Sequence, residues 1–96
     1  MRARQLLYYR DKQGDTIVEM VLWQLPRPTR DRPHGLKYRF YCGRRGICVV
    51  RYDNETGKGD HRHVGHREEP YAFTTVEALI EAFRSDCTSL ANWSWE

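Results

Sequence analysis

The sequence predicts a single small α+β domain: a mainly antiparallel β-sheet of about four strands, packed by one C-terminal amphipathic helix. Two sequence patterns and the chain length point to this class. β-branched and aromatic residues fill the first half between turn signals, and one apolar stripe at helical spacing stands near the C-terminus. The 96 residues leave room for one core, so positions 1–96 are read as one domain.

Leu6-Leu7-Tyr8-Tyr9 is short and β-prone, Asp11 to Asp15 around Gly14 supplies a turn, and Thr16 to Leu25 returns as a strand. That second strand is apolar at both alternations, Ile17, Val21 and Trp23 against Val18, Met20 and Leu22. It reads as a central strand with both faces largely covered. Pro26, Pro28 and Pro33 end it, because proline cannot donate to a ladder, and 27–35 reads as a basic loop.

Leu36 to Cys42 alternates strictly, with Leu36, Tyr38, Phe40 and Cys42 on one face and Lys37, Arg39 and Tyr41 on the other. Gly43-Arg44-Arg45-Gly46 turns the chain, and Ile47 to Tyr52 returns. Thr74 and Glu77 stand in capping-box spacing ahead of Val76, Leu79, Ile80 and Phe83, which share one helical face. The helix is placed at 75–87. Residues 88–96 form a tail that reads as docked on the fold, as partner-binding or as a fraying end, and its Trp93 and Trp95, outside the stripe, read as partner contacts.

The apolar and charged fractions, 40% and 30%, are those of a folded globular chain. No run approaches the ~20 apolar residues of a membrane span, so a cytoplasmic protein without membrane contact is expected. Cys42, Cys48 and Cys87 are odd in number and lack C-x-x-C spacing, which suits buried thiols in a reducing compartment. The net charge of +3 is modest, but its cations gather in three connections: Arg27, Arg30 and Arg32; Arg44 and Arg45; Lys58, Arg62 and Arg67. Brought to one side, these connections would make an anion-binding face.

The segment 53–70 is read as a His-rich loop, holding three of the four histidines. Extended backbone puts His61 and His63 on one face about 7 Å apart, a spacing that brackets a phosphodiester. Unperturbed imidazole titrates near pH 6.5, so the pair can act as general acid and base. On this reading Asp60 orients an imidazole, Arg62, Lys58 and Arg67 hold phosphate, and Asp53 and Asn54 fix the loop, Asn54 also meeting substrate. Arg44 and Arg45 either contact a nucleic-acid backbone or form a solvated hairpin tip.

Two other readings of the loop compete. In one, His61, His63 and His66 bind a divalent metal with Asp60, Glu68 or Glu69, although His-x-His-x-x-His matches no closed zinc pattern. In the other, the imidazoles simply bond to backbone and neighbouring carboxylates. The tyrosines offer stacking platforms for bases, yet strand aromatics such as Tyr38 and Trp23 serve first as core.

Three strings together resemble a known family: Glu19-Met20-Val21-Leu22-Trp23-Gln24-Leu25-Pro26; Tyr52-Asp53-Asn54-Glu55 through Gly57-Lys58-Gly59-Asp60-His61-Arg62-His63; and Glu69-Pro70-Tyr71-Ala72-Phe73-Thr74. From about Leu6 to Asp86 the chain resembles the TumE-like toxins of prokaryotic toxin-antitoxin operons. The resemblance implies a bacterial or archaeal toxin neutralised by a cognate antitoxin, commonly a DNA-binding protein. Small toxins often cut RNA or otherwise block translation. With the His pair, that makes a metal-independent endoribonuclease without cofactor the expected activity. The alternatives are a non-catalytic module binding nucleic acid or protein, and a metal-dependent enzyme. The apolar second strand also allows a homodimer.

Overall fold

Each strand pairs with its neighbour in the chain, so the topology follows from a succession of turns. The computed structural model describes residues 2–55 and 57–96. Among these, six strands form one antiparallel sheet in the order β1 (Arg4–Gln13), β2 (Thr16–Gln24), β3 (Leu36–Arg44), β4 (Ile47–Asp53), β5 (His61–Val64) and β6 (Arg67–Pro70), followed by helix α1 (Val76–Ala91). The α+β class is as the sequence predicts. The two additional strands lie within 61–70, which sequence pattern assigns to a loop. His-Arg-His-Val and Arg-Glu-Glu-Pro carry polar groups on both faces, so no apolar alternation betrays them. Gly65, at φ +59°, makes the two-residue turn between them.

Alternation along β2 and β3 builds the core. Val18, Met20 and Leu22 share a face with Tyr38, Phe40 and Cys42, and Val50 and Tyr52 of β4 extend it. Helix α1 covers this face over β3 and β4 with Leu79, Phe83, Cys87 and Ala91, a stripe at i, i+4 spacing. Cys87 and Ala91 carry that stripe past residue 87, so the helix runs to Ala91 before Asn92 ends it in the left-handed conformation at φ 56°. Arg44 donates to the Ala91 carbonyl at 2.9 Å, placing a cation at the negative end of the helix.

The helix start is one residue later than the Thr74/Glu77 box implies. Thr75 is the cap, its Oγ1 accepting from the Ala78 N–H at 3.0 Å. Thr75→Ala is expected to cost about 1 kcal/mol, seen as a lower urea midpoint with an unchanged slope. The tail takes the docked reading, and its tryptophans serve the fold where partner contacts were expected. Trp93 is 2% exposed and belongs to the core, and Trp95 packs on Tyr9, Phe83 and the Arg84 guanidinium. The Gln13 side chain exchanges two hydrogen bonds with the Ser94 backbone, tying the tail to β1.

Among the described residues no helix lies over the second face of the sheet. Ile17, Glu19, Val21 and Trp23 of β2 point there and are only half-buried, so β2 is covered on one side, not both. The apolar content of this strand misleads because its neighbours on the open face are charged. Arg10 and Glu19 pair across β1 and β2 at 3.7 Å, and Arg39 reaches Glu19 at 3.3 Å.

Candidate active site on the open sheet face

The register fixes what surrounds the histidines. Across the open face, one row of backbone partners runs Arg10, Glu19, Tyr41, Arg51, His63, Glu68, and the adjacent row runs Tyr8, Val21, Arg39, Asp53, His61, Pro70. His61 and His63, two apart on β5, therefore project to the same side. Their ring centroids lie 6.5 Å apart.

The two rings differ in what holds them. His61 Nδ1 lies 2.9 Å from the Gly59 carbonyl, which can only accept, so in the neutral ring Nδ1 bears the proton and Nε2 the lone pair. His61 Nε2 has no hydrogen-bond partner among the described residues. His63 Nε2 stands 3.0 Å from Glu68 and 3.1 Å from an Arg51 N–H donor. That nitrogen thus has an acceptor when protonated and a donor when bare. Arg51 Nε is 2.9 Å from Asp53, whose side chain is 8% exposed, so Asp53 anchors the guanidinium.

Arg39 completes this cluster. Its guanidinium lies 4.9 Å from the Tyr41 ring centroid, and Tyr41 rests on Gly43, where a Cβ would collide with the phenol ring. At the same end a cleft of about 470 Å³ is lined by Arg32, Lys37, Tyr38, Arg39, Asp53, Asn54 and Glu55.

Other residues singled out from the sequence fall elsewhere. Arg62, between the two histidines, points by alternation to the helix side, where it donates to Tyr52 at 3.0 Å, Asp86 at 3.0 Å and Glu69 at 2.8 Å. Asp60 does orient an imidazole, but that of His34. Leu36 N–H donates to His34 Nδ1, so the proton sits on Nε2 and is given to Asp60 at 3.0 Å, while the Tyr38 hydroxyl donates to the same carboxylate at 2.6 Å.

Asn54 is 1% exposed and its amide is spent on β3, accepting from Tyr38 N–H and donating to the Leu36 carbonyl. Arg67 is exposed on the helix-side alternation of β6, and Lys58 lies in an exposed turn. Arg44 and Arg45 are at the opposite end from the 27–35 and 54–60 loops, which meet through Asp31 and Gly57 and through Arg32 and Asn54. The three cationic connections therefore do not converge. His66 occupies the exposed β5–β6 turn, and among the described residues no three His, Cys, Asp or Glu side chains are arranged to hold a metal ion.

Sequence reasoning overlooked Arg39 and Arg51 as site residues and gave Asp53 only a loop-fixing role. The signal was present as alternation: Lys37, Arg39 and Tyr41 oppose the core, and Arg51 and Asp53 repeat that pattern on β4. What alternation cannot supply is the register that sets β4 against β5.

Two buried phenols support the site from below. Burial first, then hydrogen bonding to Asp60, raises the Tyr38 hydroxyl above its ordinary value; burial and Asp86 do the same to Tyr52. A group whose folded value is raised contributes stability that is fully present below its unfolded value and lost as pH climbs past it, here above about 10. Urea unfolding should show stability falling from pH 9.5 to 11 more steeply in wild type than in Tyr52→Phe. An identical fall in both would remove Tyr52 from the account.

The profile of a family described as Toxin TumE matches residues 2–91. No curated protein and no solved structure matches the chain.

Proposed function

The chain belongs to the Toxin TumE family, and from that premise we propose that it arrests growth by cutting RNA with His61 and His63 as its acid-base pair. The observation that carries this reading is the pair itself: two imidazoles 6.5 Å apart on an uncovered face, one with a bare Nε2, the other beside an arginine. His61 Nε2 takes the proton of a ribose 2′-hydroxyl. The 2′-oxygen attacks phosphorus, the bond to the 5′-oxygen breaks, and His63 Nε2 gives that oxygen its proton. The products are a 2′,3′-cyclic phosphate and a 5′-hydroxyl.

Arg51 and Arg39 supply positive charge where the phosphorane develops, each such donor contributing about 10²–10³ in rate. Asp53 and Glu68 hold Arg51 and His63 in place. The reading needs no metal and makes the cytoplasm the place of action. Among the described residues no helix is long and apolar enough to cross a membrane. A cognate, DNA-binding antitoxin is the partner that a toxin of this kind requires.

The test is cleavage of total and defined RNAs in EDTA by protein freed of antitoxin. Chelator-resistant cutting that leaves cyclic phosphate ends, and that a 2′-deoxy substitution at the cut site abolishes, is the expected result. Cutting that proceeds through the deoxy position, or only on addition of a divalent metal, would overturn the mechanism.

A further inference from the structure

We infer that the open face from β4 to β1 is a track for a single RNA strand leading away from the histidine pair, with bases stacked on Trp23 and Tyr8. The choice of ligand rests on the ribonuclease reading; the track rests chiefly on Tyr8, Trp23, Lys37 and Arg10, which that reading does not use. Tyr8 is 56% exposed and Trp23 half-buried, and both point to the face that no helix covers. Between them and the histidines lie Lys37 and Arg39, with Arg10 beyond on β1.

The spacing suits an extended strand. Neighbouring β-strands are about 4.8 Å apart, so β5 to β2 spans ~14 Å and β5 to β1 ~19 Å. That accommodates several nucleotides on one side of the scissile bond. Arg39, stacked over Tyr41 at 4.9 Å and paired with Glu19, presents a fixed guanidinium plane midway. The cleft beside Lys37, Arg39 and Asp53 gives a phosphate room near His61, whose backbone partner is Asp53.

Charge selects RNA over a second protein copy. Arg10, Lys12, Lys37, Arg39 and Arg51 face Glu19, Asp53 and Glu68, a cationic excess spread through the middle of the face. Protein interfaces place apolar residues at their centre and lose charges there. Aromatic platforms interleaved with cations are instead the means by which single strands are held, and a duplex presents no free base faces to them.

The experiment is fluorescence anisotropy on the full chain carrying His61→Ala, with a labelled 12-nucleotide RNA, single-stranded or annealed to its complement. Preference for the single strand is expected. Tyr8→Leu or Trp23→Leu should weaken it about 5- to 150-fold, the equivalent of ~1–3 kcal/mol per stacked base, while Tyr8→Phe binds as the parent does. Lys37→Ala should lower the slope of log affinity against log salt by about 0.7.

Equal binding of duplex and single strand, or Leu variants that bind as the parent does, overturns the track. Wild-type cleavage with KM unmoved by the Leu variants would sink the track and keep the ribonuclease. Tyr8- and Trp23-dependent binding by a chain that cuts nothing would do the reverse. Dimerisation through this face with no RNA bound would overturn the track in favour of a second copy.

Discussion

His61→Ala is expected to lower the proposed RNA cleavage by about 10²–10⁴-fold, the share that a positioned general base contributes, while His66→Ala is expected to cleave as wild type does. The contrast follows from position. His61 presents a bare Nε2 to the open face beside Arg39 and Asp53, whereas His66 sits on the exposed turn. Single-turnover cleavage in EDTA reads both effects, and matched urea midpoints establish that the variants are folded. A folded His61→Ala that cuts at the wild-type rate would dismiss this histidine as the base.

Phe83→Ala has the largest expected effect on stability, about 3–5 kcal/mol. Phe83 is wholly buried, and its ring meets Phe40 at 5.4 Å, Tyr52 at 6.2 Å and Trp95 at 6.5 Å, so it joins helix, sheet and tail at one point. Truncation leaves a cavity that three rings anchored on different elements cannot close. Against a total stability of roughly 5–15 kcal/mol for a domain of this kind, the loss leaves a marginal fold. Denaturant unfolding checks this, and a cost below about 1.5 kcal/mol, typical of volume-conserving core changes, would show that the contact repacks. Toxicity would fall with Phe83→Ala through loss of folded protein, not through the chemistry.

The His pair was legible because its geometry is local: two residues apart on extended backbone predicts about 7 Å, and the rings stand 6.5 Å apart. The same alternation turns Arg62 away from them, toward Asp86 and Glu69, an implication of the extended reading that charge alone obscures. Asp60 is a different case. Its partners His34 and Tyr38 are 26 and 22 residues distant, and nothing in the local pattern announces them. The strands at 61–70 were hidden by polarity, and the burial of Trp93 by the left-handed Asn92 that redirects the chain after the helix. Helix and hairpins declare themselves through periodicity; register, and the groups it brings together, depend on loop geometry that composition does not encode.

Strand order that equals chain order has a consequence for how the molecule is made. Contacts close between near neighbours, relative contact order is low for a sheet protein, and hairpins can form in turn as synthesis proceeds from the N-terminus. The covering helix comes after every strand. Until Leu79, Phe83 and Cys87 have emerged, a nascent sheet presents Phe40, Val50 and Tyr52 to solvent as an apolar surface able to associate with other chains. The helix that takes no part in the proposed chemistry is thus the element on which productive biogenesis depends.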